Sequence, residues 1–156
     1  MGLNSDMFWE NRGTDVDKSI FAVLGKKTYS YEQTFAFADE IFSFCERGLI
    51  LLLCNRDFET VVGYVGSLRH KLVPLLLDNE TREQTLAHHI DIYRPRYIFA
   101  STQKAYFAGY RLKVTFISYV LLERSDDPNV ELAEELSLLL PTSGSTGDPK
   151  CVRLSS

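Results

Sequence analysis

From residue 31 onward the chain alternates between stretches in which apolar residues recur every three or four positions and short, unbroken apolar runs. Ser30-Tyr31-Glu32-Gln33 reads as a capping box, in which the Ser hydroxyl accepts the Gln33 backbone N–H and the Gln side chain reaches back. Phe35, Ala38, Ile41, Phe42 and Cys45 follow at helical spacing, which predicts a helix from about Tyr31 to Arg47, stopped by Gly48. Leu49 to Leu53 is continuously apolar and too short for a helix, so it reads as a strand covered on both faces. Asp57 can cap a second helix with Val61, Val65, Leu68 and Leu72 on one stripe, where Gly63 and Gly66 permit close approach by another backbone. Leu72 to Leu77 is a second apolar strand, kinked or started at Pro74. Thr81-Arg82-Glu83-Gln84 repeats the capping-box pattern ahead of Leu86, Ile90 and Tyr93, and Pro95 ends that helix.

Tyr97 to Ala100 predicts a third strand, 101–109 is ambiguous with a short helix as one reading, and the alternation through Val114, Phe116 and Ser118 predicts another strand. The stretch from Glu123 to Glu135 holds six acidic residues and the single base Arg124, so it reads as a solvated connection with a helical turn. Leu136 to Leu140 is a last buried strand. The order of these elements predicts an α/β fold, with a layered, mostly parallel sheet flanked by helices. Residues 1–156 read as one truncated domain, 1–25 as an N-terminal extension and 142–150 as a functional loop.

Composition narrows the function classes. With 45% hydrophobic and 24% charged residues the chain has the make-up of a packed domain. Its 17 Lys and Arg against 21 Asp and Glu give a net charge of −4, a poor balance for neutralising a phosphate backbone, so no nucleic-acid partner is expected. Cys45, Cys54 and Cys151 lack paired spacing, which points to a reducing, cytoplasmic setting. The apolar run Leu49–Cys54 is far short of the ~20 residues that cross a bilayer, and residues 1–6 do not read as a signal sequence, so no membrane association is expected.

The chemistry concentrates in Pro141-Thr142-Ser143-Gly144-Ser145-Thr146-Gly147-Asp148-Pro149-Lys150, directly after a buried strand. Gly144 and Gly147 can aim successive N–H groups at an anion, Thr142, Ser143, Ser145 and Thr146 add hydroxyl donors, and Lys150 supplies a full charge. That donor set suits a polyphosphate. It is not a Walker A loop, because aligning Lys150 with the Walker lysine puts Pro149 where Gly is required and Cys151 where Ser or Thr holds magnesium.

The segment instead resembles the signature loop of the AMP-forming adenylating superfamily, which comprises acyl-CoA synthetases, peptide-synthetase adenylation domains and luciferases. The pattern is [ST]-[ST]-G-[ST]-T-G-x-P-K-G, matched at Thr142, Ser143, Gly144, Ser145, Thr146, Gly147, Pro149 and Lys150, with Cys151 in place of the last glycine. Thr28-Tyr29-Ser30-Tyr31 looks like the family's early Thr-Tyr segment, and Leu68 to Asp78 looks like its Leu-Lys-Ala-Gly-Ala-x-x-Val-Pro-Leu-Asp stretch. The resemblance implies the first αβ subdomain of such an enzyme, with the loop on the β- and γ-phosphates of ATP and Mg2+. It implies activation of a small-molecule carboxylic acid as an acyl-adenylate, with coenzyme A or another thiol as acceptor. The adenine-binding motif, the magnesium carboxylate, the ribose aspartate and the late lysine of the family have no counterpart here, so no catalytic residue is assigned and the isolated chain is expected to be inactive. A subdomain without its neighbours is also expected to self-associate. A stand-alone nucleotide- or anion-binding module and a non-catalytic interaction domain are the alternatives.

Other features read as structure. His88-His89 fits a solvated helix face, since adjacent helical residues point apart, and no metal site is assigned. Cys45 and Cys54 read as packed thiols, Phe35, Phe42, Tyr93, Tyr97 and Phe99 as core, and Arg94 and Arg96 as exposed.

Overall fold

A computed structural model describes residues 20–24, 27–104, 106–126, 136–142 and 150–155, with side chains described over 29–104 and 106–126. A short hairpin of β1 (Ile20–Leu24) and β2 (Lys27–Ser30) leads into α1 (Tyr31–Phe42). The first capping box forms: Gln33 N–H donates to Ser30 Oγ and Ser30 N–H to Gln33 Oε1, each at 3.1 Å. The helix ends at Phe42 rather than running on to Arg47. There Cys45 N–H turns back to the Phe42 carbonyl, and Glu46 N–H is taken by Tyr97 Oη at 3.0 Å, which pulls the chain toward the sheet. Gly48 is therefore not a helix stop. It is buried at the entry to β3 (Leu49–Cys54), where its carbonyl accepts Val73 N–H.

Asp57 caps α2 (Phe58–Arg69) by accepting Thr60 N–H at 3.0 Å. The helix closes with Lys71 in the left-handed region at φ 59°; Lys71 N–H bonds to Leu68 O and Leu72 N–H to Ser67 O, the paired bonds of a Schellman ending. Close approach does occur at Gly63 and Gly66, but to aromatic rings rather than to backbone. A Cβ at Gly66 would lie 2.3 Å from the Phe42 ring, and one at Gly63 2.6 Å from the Phe99 ring.

After β4 (Val73–Asp78) comes α3 (Glu83–Tyr93). The second expected capping box does not form: the helix starts after Arg82 with no side-chain cap, because Asp78 organises the turn by accepting Glu80 N–H on its carboxylate and Thr81 N–H on its carbonyl. Arg94, at φ 46°, ends α3 ahead of Pro95. β5 (Tyr97–Ser101) runs into a single 3₁₀ turn, Thr102–Lys104, which resolves the ambiguous 101–109 stretch. β6 (Tyr110–Phe116) and β7 (Tyr119–Arg124) then form a hairpin whose second strand the sequence reading missed. β8 (Leu136–Thr142) and β9 (Lys150–Ser155) complete the described chain.

The seven strands β3 to β9 make one sheet in the order β6-β7-β5-β3-β4-β8-β9. The expected parallel arrangement is its centre: β5, β3, β4 and β8 are parallel neighbours, and the hairpins add antiparallel strands at both sides. Alternate residues of the central strands face opposite layers. Ile50, Leu52, Phe99 and Leu121 pack with Ala38, Phe42 and Val62 under α1 and α2, while Leu51, Leu53, Leu75 and Ile98 pack with Leu86 under α3. Burial on both faces is why these strands are unbroken apolar runs.

Candidate functional site

The four parallel strands end at one edge of the sheet, with Cys54 (β3), Asp78 (β4), Ser101 (β5) and Thr142 (β8) as their last residues. In open α/β sheets this carboxyl edge is where ligands bind. The expected phosphate loop springs from it. Thr142 is the last residue of β8 and Lys150 the first of β9, and the antiparallel register sets the two directly opposite each other. Ser143, Gly144, Ser145, Thr146 and Gly147 lie outside the described residues. Leu75 stands opposite Leu139, so equal steps along the parallel strands bring Asp78 level with Thr142, and the loop departs beside the end of β4. Cys151, the departure from the family pattern, stands in β9 opposite Pro141.

Sequence reasoning passed over the polar groups that line the rest of this edge. Asn55, Asp57 and Thr60 converge on the Tyr119 hydroxyl, which donates to Asp57 Oδ2 at 2.8 Å, accepts from Asn55 Nδ2 at 2.7 Å and lies 3.3 Å from Thr60 Oγ1. Burial pushes the Tyr119 hydroxyl up to about 12, and although Thr60 and Asn55 work against this, the Asp57 carboxylate adds to it. Tyr119 therefore stays a neutral donor, locking the start of β7 to the N-terminus of α2. Ser118 Oγ donates to Glu59 Oε1 at 2.8 Å and reinforces the same junction. On the next strand, Asn79 donates its backbone N–H to Cys54 O and receives the Lys104 ammonium on its carbonyl. The available signal was an Asn or Asp directly after each apolar run, in Cys54-Asn55-Arg56-Asp57 and Leu77-Asp78-Asn79.

The thiols are not nucleophiles. Burial pushes Cys54 up to about 11, with the Asp78 and Asp57 charges adding to it, and pushes Cys45 up to about 12, with Glu123 adding. Both pack against the core under α1 and α2, as expected. Phe42, Tyr97 and Phe99 are fully buried, and Phe35 and Tyr93 pack at the core's margins. His88 is exposed, but His89 is not on a solvated face: it is 5% exposed, its Nδ1 bonds to Thr85 O at 2.8 Å and its ring stacks on Tyr93. It falls at helical spacing with Leu86 and Tyr93, on the buried stripe of α3, a signal that the spacing carried. Arg94 is exposed, whereas Arg96 is half-buried, pairs with Glu46 at 2.6 Å and lies over the Tyr97 ring. Among the described residues, no three His, Cys, Asp or Glu side chains gather as metal ligands, and no helix is long and apolar enough to cross a membrane.

The architecture can now be compared with known proteins. The chain aligns over 99% of its length with MatB from Rhodopseudomonas palustris at a TM-score of 0.67 and 17% identity, covering 35% of that chain; the ATP-bound form of MatB gives 0.66. It covers 39% of the O-succinylbenzoate coenzyme A synthetase MenE from Bacillus subtilis, solved in complex with AMP, with a TM-score of 0.61 and 13% identity. Its fold is that of an adenylating enzyme's N-terminal subdomain. In sequence it is 26% identical over 161 aligned positions to cyclosporin synthetase from Tolypocladium inflatum, a match that takes in 94% of this chain and 1% of that protein. The chain thus spans little more than a third of the solved adenylating enzymes, and a small part of the peptide synthetase. No protein-family model matches it.

Proposed function

We propose that the chain is the N-terminal, phosphate-holding portion of a longer ATP-dependent, AMP-forming ligase that activates a carboxylic acid as an acyl-adenylate, usually for transfer to a thiol such as coenzyme A. The observation that carries this reading is the hairpin that sets Thr142 opposite Lys150 at the carboxyl edge, with the loop beside the end of β4. The adenylating-enzyme fold and the eight matched loop positions support it.

In such a reaction a carboxylate oxygen attacks the α-phosphorus of ATP, the bond to the bridging oxygen breaks, and pyrophosphate leaves with the charge. The loop's N–H and hydroxyl groups, with Lys150, would hold the β- and γ-phosphates and stabilise that leaving charge. Thr142, Ser143, Gly144, Ser145, Thr146, Gly147 and Lys150 fit this task chemically, being donors and one cation with no carboxylate except Asp148. Magnesium, when bound, would neutralise charge on the phosphates, and among the described residues no carboxylate cluster is gathered to hold it. The free cysteines Cys45 and Cys54 suit a cytoplasmic setting.

Two measurements test the reading. The natural reading frame should continue past Ser156 into a Tyr-Gly-x-[ST]-Glu motif and a late lysine; a stop codon at that point overturns the ligase assignment. In the full-length protein, Lys150→Ala should weaken productive ATP use by about 1.5–3 kcal/mol, the worth of a charge-assisted contact. Its thermal stability should move by less than ~0.5 kcal/mol if the side chain serves the phosphates and not the packing of β9. An unchanged Michaelis constant for ATP together with unchanged turnover overturns the assignment of the loop.

A further inference from the structure

We draw no further inference here: the strongest candidate, the cavity of about 640 Å³ between α3 and the segment joining β5 to β6, floored by Leu86, Ile90 and Phe107, is rimmed by carboxylates and cations alike that favour no one ligand, and nothing in the structure shows what covers it.

Discussion

At the scale of single residues, the sites where the chain adopts costly backbone are set by hydrogen bonds that the sequence does not announce. Lys71 sits at the left-handed position of the α2 ending, at φ 59°, where an L side chain costs roughly 1–2 kcal/mol and glycine costs little. In the adenylating-enzyme stretch that Leu68 to Asp78 resembles, this position is the glycine, and the Schellman bonds give the physical reason for it. Lys71→Gly should therefore stabilise the chain by about 0.5–1 kcal/mol, after allowing for the extra freedom glycine gains in the unfolded state. Urea titration at constant m-value checks it; a loss of stability contradicts the account. Tyr119→Phe tests the opposite kind of site. Removing the hydroxyl leaves Asn55 Nδ2 and Asp57 Oδ2 without their partner, so the expected loss is about 1–3 kcal/mol. The same titration measures it, and a change under ~0.5 kcal/mol would mean water replaces the hydroxyl fully.

At the scale of elements, what was legible in the sequence is what local chemistry decides. The Ser30 capping box, the Asp57 cap and the apolar runs of β3, β4 and β5 were read correctly because each depends on neighbours within a few residues. The Thr81 box failed because Asp78, closer to the strand end, competes for the same turn. β7 was missed because its turn, Ile117-Ser118, carries no glycine or asparagine; Ile117 takes φ 51° there, and only pairing with β5 and β6 makes that tolerable. The α1–α2 contact is likewise a tertiary fact. Gly66→Ala would drive a Cβ into the fully buried Phe42 ring, and overpacking of about 1–3 kcal/mol should outweigh the ~1 kcal/mol gain in helix propensity. A melting temperature lowered by a few degrees is the expected result, and a raised one would show that Phe42 can move aside.

The same pair of helices carries a pH dependence. Burial acts to raise the Asp39 carboxyl, but hydrogen bonds from Arg69 (Nε 3.2 Å, Nη2 3.0 Å) and His70 (Nε2 2.8 Å), together with their charges, hold it below the usual carboxylate range. A depressed folded-state value adds stability above the unfolded-state value, and this is lost as pH falls through the folded one. Asp39 is 45% exposed, so screening keeps the contribution small. Between pH 7 and pH 3, Asp39→Asn should lose less stability than the parent. If both lose the same amount, the α1–α2 junction does not contribute to acid sensitivity.

At the scale of the whole molecule, the carboxyl edge was only partly legible in advance. The loop residues were marked by composition, but that β3 and β4 end there side by side follows from a strand order that places β5 on the far side of β3, which no local pattern reveals. The same strand order decides how the isolated chain should behave. One side of the sheet ends in β6, where Arg111, Lys113 and a bulge at Leu112/Val114 discourage further pairing. The other ends in β9, which has no described neighbour on its outer side. We expect the 156-residue chain to self-associate through that side, and light scattering that shows a strict monomer across a concentration series would contradict this. We also expect it to fold, because its central strands are buried on both faces. Folding alone should not give chemistry. Adenylyl transfer needs the acid held in line with the α-phosphorus, a task the proposed function assigns to other parts of a longer enzyme. ATP–pyrophosphate exchange by the isolated chain over a panel of carboxylic acids should stay at background, while the full-length protein exchanges with at least one of them. Acid-dependent exchange by the isolated chain would mean that these residues alone complete the site, and the division of labour proposed here would be wrong.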